Sequence, residues 1–295
     1  MSGISTNRTD ITLPVEVSQE ILAKTQDGSA IMRLARQIPL PGRGATIPMI
    51  TADPEASWVA ETDSKPVSNP TLDTKIMRAY KLAVIVPFSD EFRRDAGALF
   101  DEIVRRVPGA LAAKFDKTII GAVNKPGSDF DNFASCTAQS LSTDAYAGLV
   151  AADADIADNG GILNGFALSP QAKSVLLSAT DDNGRPLFIN SVAEGAIPQI
   201  LGAPTYLGRG VYKAGDATAS PKVPNIVGVA GDWTKALYGT VEGVKVSYSA
   251  DATLDLGSGS TLNLFQQNMF ALRAEIEIGF RADTTAFNLL TTAVA

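Results

Sequence analysis

Histidine is absent from all 295 residues, and that absence removes more candidate functions than any single residue adds. The imidazole is the usual general base, a common zinc ligand and the side chain that changes charge near neutral pH, so most hydrolase and metalloenzyme constellations lack a member here. Cysteine is nearly absent too. Cys136 stands alone, so no internal disulfide supports the fold, and with no imidazole to generate a thiolate it reads as a small buried apolar residue. No apolar run approaches the ~18 residues of a membrane span, and Met1 to Pro14 lacks the charged-then-apolar pattern of a secretion signal. A soluble chain made in the cytoplasm, with no membrane contact, is the expectation.

Long runs of one charge are missing as well. The formal net charge of -7 is dispersed, and its field repels nucleic acid weakly, which argues against a sequence-specific DNA reader. The glycine pairs Gly208 and Gly210, and Gly228 and Gly231, have neither the spacing nor the lysine of a phosphate cradle and read as turns. Asp153, Asp155 and Asp158 spread around the polar side of a helix, with no calcium-loop glycine or bidentate glutamate after them, so they read as solvated surface. No cofactor or metal site is expected.

What is present is enough apolar residue, 45%, for a large core or two smaller ones. The chain is organised around Gly44 to Asp95. The ends of this stretch are strand-like, with Ala45, Ile47 and Met49 on one side and Leu82, Val84, Val86 and Phe88 on the other, while its middle is polar and broken by Pro54, Pro66 and Pro70. Two legs of about 18 residues at roughly 3.3 Å each reach on the order of 60 Å. A two-stranded excursion has no core of its own, so it is expected to fold against a neighbour. Trp58 and Val59, set among Glu55, Glu61 and Asp63, read as apolar anchors in a charged sleeve that docks on another copy. The alternative is a mobile surface loop.

Around this arm, residues 1 to 14 read as an extended segment ordered by a partner. Pro14 opens a helix with Val17, Ile21 and Leu22 on its apolar face and Gly28 at its end, and Ala30 to Ile38 reads as a second amphipathic piece stopped by Pro39 and Pro41. Lys81 to Phe88 reads as a strand buried on both sides, and Ser89 with Asp90 and Glu91 as a helix start. From Ala98 to Ala122 apolar residues repeat at three and four, predicting a helix with a kink or break near Val107 because Pro108 lies inside it. Arg105 and Arg106 project from its polar side, toward another subunit's acidic residues or toward solvent.

Asn124 to Leu141, rich in Gly, Ser, Asn and Asp, reads as a crossing into a second, α+β domain. That domain is expected to hold a helix from Thr143-Asp144 to about Asp158, a strand at Gly165 to Leu168 and a helix capped by Ser169-Pro170. Short strands are expected at Gln199 to Leu201, Thr205 to Leu207, Ile226 to Ala230, Lys235 to Tyr238 and Val244 to Tyr248. Asp251 to Ser260 reads as a polar loop. The strict alternation from Phe270 to Arg281 predicts a strand with one buried face and with Arg273, Glu275 and Glu277 on the other, and Thr284 to Leu290 a last strand. Both are expected to return to the first domain.

Several of these segments, in this order, resemble the major capsid proteins of tailed bacteriophages of the Hong Kong 97 type. The residues that carry the resemblance are Pro14 to Leu22 followed by Ser29 to Ala35; Trp58 to Glu61 with Lys65-Pro66; Lys81 to Val86 leading to Ser89 to Glu91; and Phe270 to Phe287 with Arg281, Asp283 and Ala286-Phe287. The resemblance spans about 14 to 290. It implies an α+β Hong Kong 97-type fold divided into an N-terminal arm and short helices (1–43), an extended loop (44–80), a peripheral domain with a spine helix (81–124), an axial domain (125–262) and return strands (263–295). It implies a structural protein and no catalysis, with copies closing as hexamers and pentamers into an icosahedral shell around double-stranded DNA. The expected partners are other copies, a portal, a scaffolding protein and a decoration protein, with assembly in the bacterial cytoplasm into a virion. Members of the family often begin with a helical scaffolding segment of roughly a hundred residues. Because Met1 lies just before the arm here, either scaffolding is a separate protein or the chain has been processed, and the former is the expectation.

Trp58, Glu61, Lys65, Arg105 and Arg273 are the expected intersubunit contacts. In a few members of the family a loop lysine is joined to a neighbour's asparagine with the help of a glutamate, and those roles would fall on Lys65 or Lys75, Asn268 or Asn288, and Glu275 or Glu277. An encapsulin-like compartment shell is the second reading. An enzyme is the third, with little behind it: Ser64-Lys65 are neighbours in the arm with no preorganised geometry, and the carboxylates show no spacing that singles out a pair.

Overall fold

The computed structural model describes residues 15–52, 58–59, 67, 71–90, 96–181, 183–188 and 199–294. Its longest strand is β14, Met269–Ala282, built from the alternating tract near the C-terminus, and a five-stranded sheet forms around it. On one side β4, Tyr80–Ser89, pairs antiparallel over ten residues, from Met269↔Ser89 to Ile278↔Tyr80. On the other, β10 (Ala236–Thr240) and β11 (Lys245–Ser249) lie end to end along β14, also antiparallel, and β1 (Arg36–Pro39) adds in parallel to β10.

Two helices cover one face of this sheet: α1, Val15–Gly28, and α3, Ala96–Ile119. Ile21 from α1 and Val107 and Leu111 from α3 pack with Phe270, Ala274 and Ile276 of β14 and with Leu82, Val84, Val86 and Phe88 of β4. The opposite face carries Lys81, Ala83 and Ile85, so β4 buries one face only; its outer face is apolar in composition yet exposed. Pro87 is tolerated because no strand pairs with the far edge of β4 among the described residues. Helix α3 runs through Pro108 unbroken. The missing backbone bond and the ring clash cost about 3 kcal/mol, and the burial of Val107, Leu111, Phe115, Ile119 and Ile120 along the same helix offsets them.

The six-stranded sheet has the order β5 (Thr137–Ser140), β15 (Phe287–Thr292), β9 (Asn225–Gly231), β6 (Gly165–Leu168), β8 (Ala203–Leu207) and β7 (Gln199–Ile200). Helices α4, Ala145–Asp158, and α5, Pro170–Ser178, pack on one face through Leu149, Ala152, Ile156, Ala172 and Leu176. Both helices are capped as their sequences dictate: Asp144 accepts from Tyr146 N and Ala147 N, and Ser169 Oγ from Ala172 N. Asp144→Ala is expected to cost about 1 kcal/mol in chemical denaturation, with no change in the fold by circular dichroism.

The two sheets share one core. Phe115, Phe130, Phe133, Trp233, Tyr238, Phe280 and Phe287 meet ring to ring between them. Phe130 and Phe133 come from the polar tract expected to be a crossing between domains, and that tract is instead fastened down by Phe133 N to Ile119 O (2.7 Å) and Asp131 N to Phe280 O (3.1 Å). Sheet membership also departs from the sequence expectation. Strands β10 and β11 join β14, whereas β15 joins the sheet of β5, β6 and β9. Burial at the far end of β14 is two-sided, from Ile278 to Ala282, because β10 and the shared core enclose that end.

Three local corrections follow from pairing that spacing did not reveal. The second amphipathic piece ends early: α2 is Ala30–Leu34, and Arg36–Pro39 leaves it to form β1 against β10. Ser89 is the last residue of β4, and α3 is described from Ala96; the intervening 91–95, including Glu91, lie outside the described residues. The expected loop at 251–260 is a hairpin, β12 (Thr253–Gly257) with β13 (Ser260–Asn263), turned at Ser258 and Gly259 with φ of 56° and 80°. Two positive φ values are what a tight two-residue hairpin turn needs.

Candidate assembly surfaces

The arm leaves the body as an antiparallel ribbon of β2 (Ala45–Ala52) and β3 (Thr71–Met77), in register from Ala45↔Met77 to Ile50↔Leu72 and shifted by a bulge before Ala52↔Thr71. Eight residues at ~3.4 Å carry it roughly 27 Å. At its base, Gly44 holds φ +86°, and a Cβ there would meet Met77 O at 2.6 Å. Met77 itself is buried with Leu40 and Ile47.

Arg281 locks this root. Its Nε and Nη2 both donate to Ile76 O, at 2.8 and 2.6 Å, while Nη1 donates to Asp131 Oδ1 at 2.8 Å and Nη2 to Asp129 Oδ1 at 3.2 Å. Asp131 Oδ2 accepts from Ala282 N, and Lys75 Nζ reaches Ala282 O at 3.0 Å and Asp131 Oδ2 at 3.5 Å. Arg78 Nε lies 3.3 Å from Asp129 Oδ2. Arg281 is 8% exposed, so these are charge-assisted bonds in a poorly solvated setting, and they fix the direction in which β3 leaves. Alternation placed Arg281 on the outer face of β14. Only the tertiary contacts bring Asp129, Asp131 and Ile76 O around it.

The expected contact residues divide. Trp58 is fully exposed beyond the ribbon, at 105% of its reference area, and Val67 is 84% exposed. Glu61 and Lys65 lie outside the described residues. Arg105 is exposed on α3. Arg273 is half exposed, but it already pairs within its own chain, Nε to Glu275 Oε1 at 2.9 Å. Among the residues suggested for a crosslink, Lys75 is engaged at the arm root. Asn288 is fully buried and donates through Nδ2 to Ala152 O at 3.1 Å, so neither residue is placed for that role. Asn268 is exposed at φ +50°; Glu275 and Glu277 face Arg273 and Lys81. Cys136 is half-buried with Sγ on Thr284 O, and burial, helped by Asp283, pushes its thiol up to about 12, which suits a packing residue rather than a nucleophile.

Exposed apolar groups that sequence reasoning passed over sit elsewhere. Leu256 and Phe265 are 59% and 75% exposed at the β12–β13 hairpin and its exit. Tyr146 and Val150 are exposed one turn apart on α4, and Ile162 follows that helix. The signal for the hairpin was present, in glycines flanked by Leu254, Leu256 and Leu262.

The described residues thus hold a two-stranded ribbon rooted by a buried ionic clamp, with Trp58 exposed outside it. The phage capsid family model matches residues 9–291. The chain belongs to the phage capsid family. Among curated members of that family, it is 30% identical to the probable major capsid protein of Mycobacterium phage L5 over 95% of this chain and 89% of that one. It is 27% identical to the major capsid protein of Staphylococcus phage 80alpha, over 94% and 84%. Among solved structures, a chain from Gordonia phage Cozz superposes with a TM-score of 0.68 at 22% identity, covering 90% of this chain and 87% of that one. The α+β capsid fold expected from the sequence is the fold observed. Membership of the phage capsid family makes this a structural protein of the virion, one of a kind that assembles into multimeric shells, and not an enzyme.

Proposed function

We propose that this chain is the major capsid subunit of a tailed phage, assembling through hexamers and pentamers into an icosahedral shell that encloses double-stranded DNA. The observation that carries the proposal is the β2–β3 ribbon: it is anchored by Arg281 at one end, and Trp58, outside the paired strands, is fully exposed. In this reading the five-stranded sheet with α1 and the spine helix α3 is the peripheral domain, the six-stranded sheet with α4 and α5 is the axial domain, and residues 44–80 form the extended loop. Trp58, Glu61, Lys65 and Arg105 make contacts between copies, while Arg273 contributes through its pair with Glu275. Scaffolding, portal and decoration partners serve the assembling particle, which forms in the bacterial cytoplasm. A modestly acidic chain suits a container that must not trap its genome by counterion release.

Trp58→Ala is expected to leave each subunit folded and to weaken assembly by about 1–3 kcal/mol per contact. Sedimentation of the expressed protein reads this as a shift from particles to free subunits. An unchanged particle yield counts against the arm as a docking element. Negative-stain images should show closed shells, and nuclease-protected double-stranded DNA inside them supports a phage capsid. Shells filled with protein cargo would instead favour the encapsulin-like compartment.

A further inference from the structure

Asp116 occupies a turn of α3 that the surrounding elements enclose completely. Its side chain is fully buried. Oδ1 lies 2.5 Å from Ser29 Oγ, and Oδ2 accepts from Ala30 N at 3.3 Å. Ser29 Oγ in turn caps α2 by accepting from Met32 N at 3.0 Å. Two glycines also lie close to this side chain: a Cβ on Gly208 would stand 2.9 Å from Oδ2, and one on Gly210 would stand 2.6 Å from Asp116 Cβ. One aspartate therefore joins the α1–α2 corner, the spine helix and the segment after β8.

The joint is short of charge compensation. The charged positions within about five residues of Ser29, Ala30, Asp116, Gly208 and Gly210 are Lys24 and Asp27 of α1, Arg33 of α2, Lys114 and Lys117 of α3, and Arg209 and Lys213 after β8. All but the half-buried Lys213 are exposed, and none forms an ion pair with Asp116 among the described residues. A carboxylate held by one hydroxyl and few amides, away from water, is a poor guest in a protein interior. Burial pushes its pKa up to about 7, against the smaller opposing effect of the hydrogen bonds from Ser29, Ala30 and Ile31.

We propose that Asp116 is a proton-sensitive tie between the N-terminal corner and the spine helix: the neutral carboxylic acid keeps α1–α2 seated on α3, and the carboxylate loosens that joint. In the unfolded chain the group titrates near 3.8, whereas the folded chain keeps its proton to about 7. Between those values the folded state holds the extra proton, so stability is greatest below the lower value, falls as pH rises through the window, and levels off above it.

The test uses the full-length chain. Hydrogen exchange at the amides of 29–32 and the melting temperature are followed from pH 5 to 8. In the natural protein protection and melting temperature are expected to fall across this range, while Asp116→Asn, neutral at every pH, removes the dependence. The same slope in Asp116→Asn overturns the proposal. Should that variant fail to fold, carboxyl NMR of the natural chain and of Ser29→Ala decides. A midpoint near the ordinary aspartate value in the natural protein refutes the tie. Removing the hydroxyl that stabilises the carboxylate is expected to move the midpoint to higher pH, and an unmoved midpoint also refutes it.

Discussion

Arg281→Met is expected to destabilise the folded chain by about 3–5 kcal/mol and to free the root of the arm. Methionine keeps much of the stem's apolar bulk, so the loss comes from the guanidinium. Without it, Ile76 O loses two short donors, and among the described residues Asp129 keeps the peripheral Arg78 and Asp131 keeps Lys75 and the Ala282 N–H. A half-dismantled buried ionic group costs more than the intact group contributes, because the carboxylates stay desolvated after their partner has gone. Chemical denaturation gives the magnitude, and hydrogen exchange at Lys75 to Arg78 gives the location. Arg281→Lys should recover little, since one ammonium cannot donate to a carbonyl and to two carboxylates in the geometry of the planar fork. A loss below about 1 kcal/mol, the worth of an ordinary surface pair, would mean that the clamp is decorative.

Phe133→Ala is the second substitution with a large expected effect, about 3–5 kcal/mol. Phe133 is fully buried, stacks on Phe287 with centroids 4.5 Å apart and meets Trp233 and Phe280 edge-on at 6.1 and 5.7 Å. Phe280 belongs to the five-stranded sheet and Phe287 to the six-stranded one. The cavity would therefore open where the two sheets meet, and loss of this ring should lower the stability of both. Unfolding followed through Trp233 in a Trp58→Phe background, and separately by far-ultraviolet circular dichroism, should give coincident transitions in the natural protein. Two separated transitions there would show that the sheets hold independent cores.

The segments legible in the sequence were those whose pattern answers to their nearest neighbours along the chain. Asp144 announced α4, Ser169-Pro170 announced α5, and the alternation from Phe270 to Arg281 announced β14, because caps and periodicities of 2 and 3.6 are local facts. The arm was legible for the opposite reason: a polar, proline-broken stretch between two strand-like ends has nothing local to hold it. Less was legible of the assembly surfaces. Trp58 stands exposed in its own chain, Arg273 is paired at home, and Arg281 is a buried clamp where alternation alone put a surface cation.

Composition and periodicity alone thus determined that this chain makes a mixed α and β fold with a projecting ribbon and without imidazole chemistry. They also determined where α1, α4, α5, β6 and β14 run. Tertiary structure alone decided that β15 crosses to the other sheet, that 124–141 threads Phe130 and Phe133 into a shared core, that Pro108 stays within a continuous helix, and that Arg281 faces two aspartates. The physical reason is range. A cap or an alternating face is set by residues within a turn or a pleat of one another, whereas strand partners, offset costs and the destination of a buried charge depend on groups that chain folding brings together from more than a hundred positions away.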